Sequence, residues 1–426
     1  MRSSVIGFAV WPQKGHIYPT FHLARRLVER GAHVIYYGSP KAGSIVRENG
    51  FEFRVAGLDL DDPELAKKSG RGKLRFFREL VAPAVEAIKA DGVTHLFVDP
   101  VVQSAAVAGV LSGIDVTYFW VMNPPYRRGR HLPFRFARRT PNAALYRHFP
   151  RLTWWPQLLR YRWMRLWQTV RNDRTVDELV REISVARKMK VVLTSYGYRL
   201  DLPVVVLGPR GFEQSPDRSF TYLGLGVDAE RREEPFVPKS SAPVVYVSLG
   251  GNFSLYPQAS HIIDLVLEAA ARMPTIEFVV QRPADVPSSA SAPSNVTLVT
   301  NASTLAVLAQ ASAAIIHGGY GTIKECIVNG VPMLIVPFLF DQPNNAAKVS
   351  ELGLGRVVFP RRASADAFQE ALRVLLENVD YRKRIEAFRE AAQQADEYEA
   401  FCARLLRRAE TPPAGNALPH SESTNT

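Results

Sequence analysis

Apolar residues along the chain gather into short blocks separated by longer segments of helical period. The blocks at 5–11, 33–37 and 94–98 are too short for core helices and are bounded by turn residues, so each predicts a strand. Between the first two, 19–30 is amphipathic at helical spacing, with Pro19 at its start and Gly31 just past its end. The alternation resumes at 244–249, 313–316 and 333–336 as strands, with 320–329 a helix closed by Gly330. A strand at 191–195, a short extended piece at 202–206, and helices at 364–376 (Ser364 as N-cap) and 381–408 complete the pattern. Strands that alternate with helices make parallel sheets covered on both faces, so the expected fold class is α/β.

A chain of 426 residues is too long for one core and predicts two domains of about 200 residues. The boundary falls in 223–243, which holds three prolines with Glu233 and Glu234. That leaves 1–222 as an N-terminal βα domain and 244–410 as a C-terminal one, while the polar 411–426 reads as a disordered tail. The two cysteines, Cys326 and Cys402, support no disulfide framework and fit a reduced, cytoplasmic setting. The first apolar run lacks a leader's cleavage pattern, and no run approaches the roughly 18 residues of a membrane span.

The candidate chemistry concentrates after the strand at 313–316. Gly318, Gly319 and Gly321 lie between strand and helix, where a backbone without Cβ can come close to a ligand. The helix N-terminus that follows, at Thr322, offers free N–H groups and a partial positive charge suited to phosphate. His317 and the pair Asp341-Gln342 follow the carboxyl ends of neighbouring parallel strands and should open on one crevice. A phosphate cradle, Glu325 on the next helix and a polar pair opposite suit a nucleoside diphosphate bearing a sugar.

Spacing extends this into a resemblance. Glu325 stands eight residues after His317, Gly330 thirteen, Pro332 fifteen, Pro337 twenty, Asp341 twenty-four and Gln342 twenty-five. The run closely resembles the donor-binding signature of the UDP-glycosyltransferase superfamily, glycosyltransferase family 1. Near the N-terminus, Gly15-His16-Ile17-Tyr18-Pro19 is similar to that family's Gly-His-x-x-Pro loop, which implies His16 as catalytic base. Imidazole suits the task, with an ordinary pKa of about 6.5. Asp99, at the end of the 94–98 strand, matches the family's relay aspartate and would hold and charge His16. Ser248, Gly250 and Gly251 resemble the turn beneath the β-phosphate.

The resemblance implies a GT-B type α/β fold, two Rossmann-like βα domains facing a central cleft, with the last helix crossing back to brace the first domain. It also implies metal-independent, inverting sugar transfer. His16 would deprotonate an acceptor hydroxyl, while His317, the N–H groups near 319–322 and the helix dipole stabilise the leaving diphosphate. Glu325 would accept from ribose hydroxyls, and Asp341 and Gln342 would hold the sugar. That pair often accompanies glucose in the family, so UDP-glucose is the expected co-substrate, with no cofactor and no metal. The chain departs from the family at one point. An aromatic that often stacks on uracil is missing, since the region reads Val299-Thr300-Asn301-Ala302-Ser303, which leaves UDP against dTDP open. A nucleotide-sugar epimerase of the same fold and a silent nucleotide-sugar-binding protein are the alternatives, and intact His16 and Asp99 stand against the second.

Residues 126–174 stand apart. They hold thirteen arginines, no lysine and one acid, Asp173, a local charge of about +12 that equals the formal net charge of the whole chain. Four of the six tryptophans, Trp154, Trp155, Trp163 and Trp167, lie among them. Three readings compete: a mouth for a lipophilic small-molecule acceptor with peripheral contact to an anionic membrane, a helical insertion with a solvated basic face, or nucleic-acid binding. No other feature supports the last, and no nucleic-acid partner is expected. Asp59-Leu60-Asp61-Asp62 resembles the Asp-x-Asp of a metal-dependent glycosyltransferase fold, but it precedes Pro63 and reads as a helix cap.

Overall fold

A computed structural model describes residues 4–56, 71–121, 163, 175–194, 197–212, 219–251, 253–256, 258–283 and 292–410. The first half runs β1 (Val5–Ala9), α1 (Lys14–Glu29), β2 (His33–Gly38), α2 (Pro40–Glu48), β3 (Glu52–Val55), α3 (Arg71–Ala90), β4 (Val93–Val98), α4 (Gln103–Ser112) and β5 (Asp115–Trp120). It continues with α5 (Thr175–Ala186), β6 (Val191–Thr194), β7 (Gly197–Leu200), β8 (Val204–Val206) and β9 (Thr221–Tyr222). The second half runs β10 (Val244–Ser248), α6 (Ala259–Ala271), β11 (Glu277–Gln281), β12 (Val296–Val299), α7 (Thr304–Leu308), β13 (Ala311–Ile316) and α8 (Tyr320–Val328). It ends with β14 (Met333–Ile335), α9 (Gln342–Glu351), β15 (Gly355–Val357), α10 (Ala365–Glu377), α11 (Asp380–Gln394) and α12 (Tyr398–Glu410).

The strands form two parallel sheets, the α/β class expected. The first has the order β3-β2-β1-β4-β5-β8-β9 and the second β12-β11-β10-β13-β14-β15. In each, the chain leaves its first strand in one direction and later returns on that strand's other side, so β1/β4 and β10/β13 are switch points. There the connections diverge above and below the sheet and open a crevice at the carboxyl ends. Both faces are buried, so β10 is covered at every residue, as its Val-Val-Tyr-Val composition requires. On the first sheet, Val81, Ala105 and Val180 from α3, α4 and α5 pack on one face. Ile17 and Phe21 of α1 pack on the other with Tyr398 and Cys402 of α12. The last helix thus crosses back onto the first sheet.

Three local expectations change. Helix α1 starts at Lys14, so His16 belongs to its first turn rather than to a loop, and Pro19 lies inside the helix. The turn closes on Gln13 O, which accepts from His16 N at 2.9 Å and Ile17 N at 3.1 Å. Pro19 is the sixth residue of the helix and cannot donate to Gly15 O, so one bond of the second turn is missing. The strand at 191–195 is not in the first sheet; β6 pairs antiparallel with β7 in a separate hairpin. Asp115 opens β5. The single helix expected over 381–408 is two, because Asp396 caps α12 by accepting from Tyr398 N at 2.9 Å. Residues 59–62, 411–426 and all of 126–174 except Trp163 lie outside the described residues. No described helix is long and apolar enough to cross a membrane.

Candidate active site

The first switch point brings His16 and Asp99 together. Asp99 N donates to Ala9 O at 2.8 Å, which ties the end of β4 to the end of β1. Its side chain is fully buried. Oδ1 accepts from Val101 N at 2.9 Å, and Oδ2 lies 2.6 Å from His16 Nδ1. A carboxylate only accepts, so the proton of neutral His16 sits on Nδ1 and Nε2 is left with a lone pair. Burial lowers the imidazole's pKa, but the charge and hydrogen bond of Asp99 more than reverse this, and Asp341 adds to them. The outcome is a pKa above the usual 6.5. Because Asp341 follows β14 in the second sheet, its influence on His16 shows that the two crevices face each other.

The second switch point gathers the glycines. Gly250 has φ +81°, and any Cβ there would run into the His317 ring. A Cβ on Gly319 would strike the same ring, again at Nε2 and Cε1. The imidazole therefore sits close against both loops, and side chains at 250 and 319 would displace it. Burial pushes His317 down to about 4, so it is neutral, and its Nδ1 is buried without a hydrogen-bond partner. Ser248 Oγ donates to Gln281 Oε1 at 2.8 Å and accepts from Gly250 N at 3.3 Å, so it shapes the turn. Gly251 and Gly321 face open space. In α8 the first backbone bond runs from Ile323 N to Gly319 O at 3.1 Å. The N–H groups of Gly321 and Thr322 precede it and have no acceptor within the helix. Gly318 has φ +87°, and a Cβ on it would meet Ile335.

The polar residues opposite behave differently from one another. Asp341 is buried, which raises its pKa, and its Oδ2 accepts from Asn345 Nδ2 at 2.9 Å. Asn345 also donates to Gly318 O at 2.8 Å, which joins the two loops. Gln342 departs from expectation. Its Oε1 accepts from Phe338 N at 2.8 Å and Leu339 N at 2.9 Å, and its Nε2 donates to Tyr256 at 2.9 Å. With 3 % exposure, this amide shapes the loop, and Tyr256 takes one of its two N–H donors. Glu325 is also engaged, since its Oε1 accepts from Arg231 at 2.7 Å. Burial raises the Glu325 pKa, and Arg231 opposes that rise.

Arg231 and Tyr18 were not expected at the site. The Arg231 guanidinium lies 4.5 Å from the Tyr18 ring centroid, two residues along α1 from His16. It is also paired with Glu233, whose other oxygen caps α7 by accepting from Leu305 N at 2.7 Å and Ala306 N at 3.0 Å. A lone arginine in a linker gives no pattern to read, whereas Asn345 sits within the spaced signature. Among the described residues, no cluster of His, Cys, Asp or Glu is arranged to hold a metal ion.

Comparison with known proteins agrees with this geometry. Residues 264–399 match the C-terminal domain of the erythromycin biosynthesis protein CIII-like family. The NDP-glycosyltransferase YjiC of Bacillus licheniformis is 25 % identical over 418 residues, covering 92 % of this chain and 96 % of that protein. These likenesses support the UDP-glycosyltransferase superfamily. The chain is a glycosyltransferase of the bacterial natural-product type. Its GT-B fold is shared with the glycotransferase of kitacinnamycin, at TM-score 0.67 and 22 % identity over 96 % of this chain and 100 % of the other. VinC, solved in complex with dTDP, gives TM-score 0.67 and 18 % identity over 95 % and 99 % of the two chains.

Proposed function

We propose that the enzyme transfers a hexose from a nucleoside diphosphate to a hydroxyl of a lipophilic small molecule, with inversion and without a metal. His16 Nε2 takes the acceptor's proton, the freed oxygen attacks the sugar C1, and the bond from C1 to the diphosphate oxygen breaks. Asp99 keeps the imidazole in the tautomer that makes this possible and balances the charge it gains. Leaving-group charge falls to the N–H groups opening α8 and in the Gly250 loop, and to neutral His317 as a hydrogen-bond donor. Asp341 accepts from a sugar hydroxyl, and Glu325, held by Arg231, accepts from the ribose.

One observation carries this reading. The Asp99–His16 pair at 2.6 Å, with Asp99 fully buried, lies within electrostatic reach of Asp341 on the opposite sheet, so base and sugar acid address the same space. Relatives named for erythromycin, kitacinnamycin and oleandomycin support a natural-product acceptor. The basic, tryptophan-rich composition of 126–174 suits an entrance for an apolar molecule.

UDP-glucose remains the first donor to test. VinC binds dTDP, and the missing aromatic at 299–303 removes a reason to prefer uracil. Competition among UDP-glucose, UDP-galactose, dTDP-glucose and a dTDP-deoxysugar tests the donor, with transfer to a panel of lipophilic alcohols as readout. UDP-glucose should be used best; a dTDP-deoxysugar used at least as well would overturn the glucose assignment and leave the transfer reading standing. No transfer from any of the four would count against the function itself.

A further inference from the structure

Far from the cleft, at the amino-terminal ends of β4, β5 and β8, a cavity of about 910 Å³ opens between the first sheet and α12. That volume is in the range of small-molecule sites. Its walls are mainly apolar, with Val110, Ile114, Val204 and Leu405 among them. Three arginines of α12, Arg404, Arg407 and Arg408, line it against a single carboxylate, Asp115. Arg404 is held only loosely, by Glu397 at 3.5 Å.

His95, on β4, faces the same space. Its ring packs on Phe97 at 4.7 Å and is 8 % exposed. Its Nε2 is buried without a hydrogen-bond partner. Burial, with the charge of Arg408, pushes the imidazole down to about 3, so it is neutral and carries one N–H and one bare nitrogen. Nearly all buried polar atoms in folded proteins find a partner, so this unpaired nitrogen marks a polar spot in the cavity's otherwise apolar inner wall. Arg408 lines the same cavity as the His95 ring.

We propose that this cavity is a second binding site, for an amphipathic monoanion. Its alkyl chain would lie along the apolar walls, and its carboxylate or phosphate-ester head would pair with Arg404 and Arg408 beside the edge of the His95 ring that lines the cavity. Bare aliphatic walls would take any apolar body; the cations and the imidazole select an anionic head.

Calorimetric titration of the full chain with monomeric decanoate, with decanol as the neutral control, tests this. Decanoate should bind saturably, one per chain, and at least about tenfold tighter than decanol. Arg408→Glu and His95→Phe should each weaken it by about tenfold or more, with melting curves unchanged. Should His95→Phe misfold, Arg408→Glu at an exposed position still decides. Phosphatidylglycerol vesicles separate the sources. Vesicle binding that Arg408→Glu abolishes assigns a lipid head group, and decanoate binding without it assigns a free amphiphile; either supports the site. No saturable decanoate binding, equal binding of decanol, or wild-type binding by Arg408→Glu would overturn it.

Discussion

Replacing Asp99 with asparagine removes one charge from the site and leaves its shape. Asp99 is fully buried and its Oδ2 stands 2.6 Å from His16 Nδ1, so the bond lost is short and charge-assisted. Such bonds contribute about 1.5–3 kcal/mol, and a tenfold rate change corresponds to about 1.4 kcal/mol. The kcat should therefore fall about 10- to 150-fold, with the upper end reached if the new amide donates to Nδ1 and fixes the wrong tautomer. The pH profile should change too. Burial lowers the His16 pKa, and Asp99 with Asp341 holds it above 6.5. A base works deprotonated, so wild-type activity is lost as pH falls through that raised pKa. In Asp99→Asn burial is opposed by Asp341 alone, and the acid limb should move to lower pH. Initial rates of nucleoside-diphosphate release across the neutral range measure both effects. An unmoved acid limb together with kcat within about twofold of wild type would refute the pairing as the source of base strength.

Two other substitutions separate structure from chemistry. Gln342→Ala strands Phe338 N and Leu339 N in a buried loop, so urea unfolding should show a loss of about 2–4 kcal/mol. Transfer from every donor should suffer alike; a loss confined to glucose donors, with stability intact, would return Gln342 to the sugar. Lys324 donates from Nζ to Leu207 O at 2.7 Å, and burial pushes its pKa down to about 8. Its charged form is the penalised one, so wild type should gain stability relative to Lys324→Met as pH rises from about 8 toward 10.5. A stability difference equal at about pH 7 and about pH 10 would show that the ammonium is not buried as described.

Position along the chain was legible where it is set by strand ends. Apolar runs placed His16 and Asp99 beyond two strands, and parallel neighbours make their side chains meet, as the 2.6 Å contact shows. The glycines at 250 and 319 were equally legible, although the reason for them, the His317 ring close against both, needed coordinates. What spacing does not carry is direction. Gln342 follows its strand as expected, yet its amide turns inward because two loop N–H groups and Tyr256 would otherwise be unpaired. Pro19 misled the start of α1, since proline fits the first helical position best but is tolerated a little further in. The break at Asp396 hides in a run of good helix formers, and Arg231 joins elements nearly a hundred residues apart, beyond any local period.

Direct displacement at C1 with His16 as base is tested most directly by following the product's anomeric proton by NMR during turnover of an α-linked donor. Wild type should give only the β-linked product from the first turnovers. His16→Ala should slow its appearance about 10²- to 10⁴-fold while binding of the nucleoside diphosphate is kept. An α-linked product, or near-wild-type turnover in His16→Ala, would contradict this mechanism.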